Sequence, residues 1–411
     1  MLRREFLASL GFGSALSKSS PPAAGSDGRQ WSMHRGDAGR TNTFPQRNTL
    51  GETLAVAWSH EWSRRTVNRP PAPVFDADRV YIAQNAGVLA AVDRTTGESV
   101  WSRSDLSGQC HTPVVGDDRI VLPTDDGMVA YDTRGREQWQ TDRPAEWDPV
   151  LSDGVLYTRT AGIDINDGSV QAEFPADSYV APTVGDGRIY RGSARVARAY
   201  DADSGTVLWE NDDLLDEEWV QPATFVFADG RLFIPGVDGL IALDAATGAE
   251  LWRYTDRFSE LYQAPTVVNG TVVQQVAGGP RTAERLVQFD VTDGTVIREF
   301  GPSGADGVSI TSVGATPGTV LALCGDRIVS FDVHTGETLS STWLAPVFDW
   351  PTRVYKQTFA YDGRRLIVNG EDRTIALEPG PIRERDRVGM GIGVAAGLAV
   401  AGVAHWWSDP S

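Results

Sequence analysis

Short alternating apolar runs recur along the middle of the chain, each stopped by a carboxylate and then a glycine. The clearest copies read Ala-Val-Asp93-Arg-Thr-Thr-Gly97-Glu-Ser-Val-Trp101, Ala-Tyr-Asp201-Ala-Asp-Ser-Gly205-Thr-Val-Leu-Trp209 and Ala-Leu-Asp244-Ala-Ala-Thr-Gly248-Ala-Glu-Leu-Trp252. Asp132/Gly135/Trp139 is one residue shorter, while Asp164/Gly168, Asp290/Gly294 and Asp332/Gly336 keep the frame without the Trp. The pattern predicts a strand that ends at the Asp, whose carboxylate takes turn N–H groups. A Gly then supplies a positive φ, and a returning strand buries its indole between neighbouring units.

Upstream of each hairpin stands a second recurrent segment. Examples are Ala72-Pro73-Val74, Thr112-Pro113-Val114, Ala181-Pro182-Thr183 and Ala264-Pro265-Thr266, each followed by a turn and another apolar strand. Proline opens a strand without losing a ladder bond, so each unit is predicted to hold four antiparallel strands. Anchors at 93, 132, 164, 201, 244, 290 and 332, with Glu378 as a degenerate eighth, have the spacing of propeller blades. The last unit lacks an outer strand, and Leu54-Ala-Val-Ala-Trp58 is a strand without a unit. Pairing the two closes the ring. The predicted fold is an all-β, eight-bladed β-propeller over residues 54–380, with seven blades the alternative if the last unit is too degenerate.

Composition places this disc in its solvent. Of 411 residues, 41% are hydrophobic and mean hydropathy is −0.25, which excludes wholesale disorder and a polytopic membrane protein. A net charge of −18 argues against a nucleic-acid partner, which needs clustered Lys and Arg. The acids are 37 Asp against 18 Glu, and the bases 35 Arg against two Lys. Self-repulsion of this size is best tolerated where salt shortens the Debye length to ~3 Å. The composition therefore reads as that of a halophile, of the kind found among halophilic archaea.

The two ends differ from the middle. Residues 1–28 open Met-Leu-Arg3-Arg4-Glu-Phe6-Leu7 and run through a modest apolar stretch into Ser, Pro, Ala and Gly, as a twin-arginine export signal and linker would. Residues 29–53 form a lead-in. Residues 381–387 are a charged linker carrying Arg383, Arg385 and Arg387. Residues 388–407, Val388 to Trp407, form a 20-residue stretch without formal charge apart from His405, long enough to span ~30 Å as a helix. This is read as a C-terminal membrane anchor, and Gly389, Gly393 and Gly397 leave a small-residue stripe for self-association or a partner helix. The flanking arginines favour the cytoplasmic face for the propeller, the export pair the outside. The expected location is the cell membrane with the propeller extracellular; the cytoplasmic face is the alternative.

The Ala-x-Asp-x-x-Thr-Gly-x-x-x-Trp units resemble the repeats of pyrroloquinoline-quinone (PQQ) type β-propellers, and Trp31-Ser-Met-His-Arg35-Gly36-Asp37-Ala-Gly-Arg40-Thr41-Asn is similar to the lead-in that often precedes their first blade. The resemblance implies the propeller fold. It leaves two functions open, because that family includes quinone-dependent dehydrogenases and non-enzymatic scaffolds of outer-membrane assembly. The quinone enzymes carry a vicinal Cys-Cys disulfide, calcium and an Asp base. Here Cys110 and Cys324 are 214 positions apart, and Asp117-Asp118 and Asp125-Asp126 have the sequence of turns rather than of a calcium loop.

Two cysteines exclude a disulfide scaffold and a four-cysteine metal site, and the absence of C-x-x-C-H excludes covalent c-type haem. Cys110-His111 supplies too few ligands for a metal. Trp62, Trp147, Trp219, Trp343 and Trp350 lie outside the repeat position and are read mainly as packing. Asn269-Gly270-Thr271 is both a glycosylation sequon and a turn. No catalytic residue, metal or cofactor is therefore assigned, and the chain is expected not to be an enzyme. The expected function is a membrane-tethered extracellular module that binds or scaffolds a protein partner. The alternative is a PQQ-dependent dehydrogenase-like enzyme or a ligand-sensing propeller.

Overall fold

The structure, a computed structural model, describes residues 32–44, 54–62 and most of 70–380; segments 63–69, 215–223, 256–262, 277–283, 303–309 and 344–357 and a few single loop positions within that range lie outside the description. Arg3, Arg4 and the whole of 381–411, with Gly389, Gly393 and Gly397, also lie outside the described residues. Among the described residues no helix is long and apolar enough to cross a membrane.

Eight four-stranded antiparallel sheets follow one another along the chain. Seven take four consecutive strands each. Their inner strands are Val74–Phe75, Val114–Val115, Val150–Ser152, Thr183–Gly185, Val226–Ala228, Thr266–Val268 and Ile310–Thr316, for blades 1 to 7. Blade 8 has Thr358–Tyr361 innermost, then Leu366–Asn369 and Arg373–Pro379, and its outer strand is Leu54–Glu61 from the other end of the chain. Leu54 pairs with Pro379, Trp58 with Ala376 and Glu61 with Arg373. The ring therefore closes with eight blades, through the strand that the sequence left without a unit.

Local chemistry builds each blade as the repeat implies. The inner hairpins of blades 3 to 6 turn on Asp153-Gly154, Asp186-Gly187, Asp229-Gly230 and Asn269-Gly270, all with positive φ, as two-residue turns matched to right-handed strand twist require. At the outer hairpins the anchor Asp accepts turn amides: Asp244 Oδ1 takes the N–H groups of Ala246 at 3.1 Å and Thr247 at 2.8 Å. Bonds to Thr247 and its neighbours hold the Asp244 carboxyl below the usual carboxylate range.

The blades are joined through the repeat tryptophans. Each indole donates to a carbonyl of the next blade: Trp58 to Arg94, Trp101 to Thr133, Trp139 to Ile165 and Trp209 to Ala245, all at 3.0 Å, and Trp252 to Val291 at 3.2 Å. The ring lies flat over the turn glycine one blade on, so a Cβ on Gly248 would fall 2.5 Å from the Trp209 ring. Only glycine combines that clearance with a φ of 74°. Where the Trp is lost, a later aromatic takes its place: Phe174 lies beside Gly205 and Phe300 beside Gly336.

The seam between blades 8 and 1, where the two ends of the ring meet, carries extra polar bonds. Arg94 Nε is 2.9 Å from Asp362 Oδ2, and Arg365 donates to the Arg94 carbonyl at 2.9 Å. Asn369 Nδ2 reaches the Pro71 carbonyl at 2.9 Å. All four side chains at this seam are buried.

One irregularity recurs in every outer strand. The residue just before the Trp position has no partner across the ladder, as between Ala199↔Trp209 and Tyr200↔Val207, which leaves Leu208 as a bulge. Val100, Gln138, Gln171, Leu251, Ile297 and Leu339 occupy the same place in their blades, and Ala57 in the closing strand. Five of these are exposed aliphatics, Leu208 at 47%.

Candidate functional site

Eight inner strands ring the axis of the disc, and their free edges face a central channel. Residues 32–44 lie across one mouth of that channel. Their carbonyls accept five inner-strand amides: Val115 N donates to Ser32 O at 2.7 Å, Val184 N to Ala38 O and Phe227 N to Gly39 O at 2.8 Å, Val267 N to Thr41 O at 3.0 Å, and Ala315 N to Asn42 O at 3.1 Å. Each donor occupies the same rung of its inner hairpin, opposite Ile120, Ile189, Leu232, Val272 and Val320 respectively. The plug therefore closes the face that carries the inner and outer hairpin turns.

Side chains of the plug reach on into the channel. Arg40 is fully buried; its Nε donates to the Pro182 carbonyl at 2.8 Å and its other nitrogens reach Asp148 O and His34. Arg35 donates to its own plug at Arg40 O, 2.9 Å away, and to the Pro265 carbonyl. Asn42 donates to Val313 O, and Thr43 to Val267 O. Phe44 is wholly buried and meets Tyr361 of blade 8 edge to face at 5.6 Å. Met33 is the second apolar anchor.

The charges in the mouth are matched. His34 Nδ1 is 2.9 Å from Asp148 Oδ2, and the Thr112 amide donates to Asp148 Oδ1 at 3.2 Å. Burial alone would raise the Asp148 carboxyl, but the facing His34 and Arg40, together with hydrogen bonding from Thr112, hold it well below the usual range. Burial lowers the His34 imidazole, against the opposing pull of Asp148. Burial also brings the Arg40 guanidinium down to about 10, with Asp148 and Asp37 resisting, and raises the Asp37 carboxyl despite its bonds from Thr41. The mouth is thus a closed polar lock.

The residues singled out from sequence fall elsewhere. Cys110 is buried in blade 2 and Cys324 in blade 7, both as free thiols, with burial pushing them up to about 11 and about 12. His111 Nε2 meets Asp125 Oδ1 at 2.7 Å. No group of three or more His, Cys, Asp or Glu among the described residues could hold a metal. Trp62 donates to Thr374 Oγ1 at 3.2 Å, as a packing residue of the closing blade. Trp147, Trp219 and Trp350 lie outside the described residues. Asn269 sits in an inner-hairpin turn, its amide on the Pro317 carbonyl at 2.6 Å. The residues present do not fit a quinone site of the dehydrogenase kind, because the two thiols stand in separate blades rather than side by side.

Sequence reasoning missed Arg35, Asp37, Arg40 and Asn42 as channel residues. Their run was visible as a lead-in, but nothing local assigned its partners. Against known proteins, the family model described as outer membrane protein assembly factor BamB matches residues 51–178 and 192–345. The chain belongs to that BamB family. Among its relatives is the outer membrane protein assembly factor BamB of Nitrosomonas eutropha, 30% identical over 157 residues, covering 34% of this chain and 38% of that protein. BamB of Yersinia pestis is 24% identical over 229 residues, covering 49% and 57%. The chain therefore spans well under two thirds of these relatives' lengths. Among solved structures, BamB from Moraxella catarrhalis aligns with a TM-score of 0.58 at 14% identity, over 79% of this chain and 99% of that one. The quinohemoprotein alcohol dehydrogenase ADHIIG of Pseudomonas putida aligns at 0.62 and 12% identity, over 87% and 81%. At such identities the structural likeness speaks for the fold, which BamB shares with quinone enzymes.

Proposed function

We propose that this BamB-family chain is a non-enzymatic, membrane-tethered scaffold whose propeller lies outside the cell and binds a protein partner. The observation that carries this reading is the plugged channel. A short segment of the chain itself fills one mouth with matched charges and backbone bonds, so the mouth already takes a polypeptide rather than a small cofactor, and the surface loops stand free for a partner. Support comes also from the family, whose description is that of an assembly factor. Arg3 and Arg4 serve export in this reading, and residues 388–407 serve as the anchor. The acid-rich, lysine-poor surface suits a halophile. A halophilic archaeon has no outer membrane, so the partner is a protein of the cell surface.

Proximity labelling from the propeller in the native host, followed by co-purification in molar KCl, tests the reading. Enrichment of one membrane or surface protein, lost when loops of the face opposite the plug are replaced, is expected. Saturable PQQ binding in the presence of calcium, with dye-linked alcohol oxidation, would replace the scaffold by a dehydrogenase. Protease treatment of intact cells in isotonic brine reports the orientation: cleavage of the propeller without lysis is expected, and full protection would place it in the cytoplasm.

A further inference from the structure

The plug has the character of a bound ligand. Three of its non-glycine residues, Arg35, Arg40 and Asn42, adopt left-handed backbone at φ 65°, 58° and 56°. Such conformations persist only where the surroundings over-determine them. Each of the three also sends its side chain to carbonyls of the inner strands or the residues leading into them: Pro265 for Arg35, Pro182 and Asp148 for Arg40, Val313 for Asn42. At Gly39 the backbone comes so close to the Phe227 carbonyl that a Cβ would lie 2.4 Å from it. The conformation and the pairing of the buried Arg40 charge thus both depend on contact with the ring.

The ring does not depend on the plug in the same way. Its amides belong to inner strands already paired, on their other side, with the second strands of their blades. The trp–glycine contacts that join the blades lie farther out and do not involve residues 32–44. Only Met33 and Phe44 anchor the plug by large apolar side chains. The rest of its hold is polar: backbone bonds, the His34–Asp148 pair and side-chain bonds from Arg35, Arg40, Asn42 and Thr43.

We propose that the ring of inner-strand amides at the turn face is a peptide-binding site, occupied here by the chain's own residues 32–44, and that this occupant unseats as a unit. Its ligand class is an irregular, turn-rich peptide with two arginines five positions apart, an acidic residue between them and an Asn two after the second. Unseating exposes Val115, Val184, Phe227, Val267 and Ala315 amides together, and a second peptide of that chemistry can then take the mouth.

Hydrogen exchange on the full chain in molar KCl, combined with a fluorescein-labelled synthetic peptide of residues 29–46, tests this. The five amides are expected to exchange as a group, about tenfold or more faster than the second-strand amides of Ile120 and Ile189. Arg40→Ala should speed the group by a further factor of about ten and leave the second strands unchanged. The labelled peptide should enter the Arg40→Ala chain one to one and slow the group again. Exchange of the five amides only as slowly as the second strands, in wild type and variant alike, overturns the proposal. So does a folded variant that takes up no peptide. Should Arg40→Ala fail to fold, Asn42→Gly, which removes one side-chain bond and keeps the left-handed backbone accessible, carries the same measurements.

Discussion

Trp252 donates its indole N–H to the carbonyl of Val291 one blade away, and the same ring lies over Gly294. One side chain thus carries two adhesive contacts between blades 5 and 6, and its exposure is only 7%. Trp252→Ala is expected to cost about 3–5 kcal/mol, as truncation of a large buried aromatic does. Trp209→Ala should fall toward the lower end, since that ring is only half-buried. Urea unfolding in molar salt measures both; a loss under about 1 kcal/mol would show that the indole is not seated as described.

The closing seam should be sensitive to loss of one charge and tolerant of losing both. Arg94→Ala leaves Asp362, 4% exposed at its side chain, without the guanidinium 2.9 Å away. Breaking a buried pair in this way costs about 3–5 kcal/mol. Replacing both, Arg94→Met with Asp362→Asn, which keeps an acceptor for the Arg364 and Arg365 amides, should recover most of that. Melting temperatures of the two variants, with the wild type alongside, decide it.

Acid should loosen the plug before it unfolds the blades. Burial lowers His34 in the folded chain, so below its ordinary range the unfolded state binds a proton that the folded one resists, and stability falls as pH drops through that window. Asp148, held low, adds a loss only in and below the ordinary carboxylate range, whereas the raised Asp37 works in the opposite sense just above that range. Between pH 7.5 and about 5.5 the protection of the Val184 and Phe227 amides, taken relative to the intrinsic exchange rate at each pH, should therefore fall. His34→Gln should flatten that dependence.

Stability should rise with salt over a wide range. A charge of −18 repels itself, and the repulsion shrinks as the Debye length falls from ~10 Å at 0.1 M to ~3 Å at 1 M. A melting temperature that climbs through molar KCl is expected. A flat profile would remove the halophile from the account of this composition.

Most of the disc was legible because its information is local and repeated. Asp244, Gly248 and Trp252 announce a hairpin within nine residues, and the orphan Trp58 strand announced where the ring would close. Blades 3 and 6 were harder. Phe174 and Phe300 replace the missing indoles from two residues beyond the repeat position, which only packing reveals. The plug was illegible as a plug for a different reason. Its partners are single amides in five blades, spread from Val115 to Ala315, and a main-chain donor leaves no mark on the identity of its residue. Arg40 could be seen in the lead-in, but its destination at Pro182 could not.

The recurring bulge bears on crowding between discs. In concentrated salt the mutual repulsion of acidic surfaces reaches barely past contact, so like charge no longer keeps two rims apart. Each rim nevertheless presents a strand edge bearing exposed aliphatics such as Leu208 and Leu251, the arrangement from which sheets of neighbouring molecules grow. An extra residue at the same rung of every blade throws the edge out of step, so a second edge laid against it meets its amides and carbonyls out of phase. At molar salt, then, it is the bulge that makes this edge a poor template for the sheet of a neighbouring molecule.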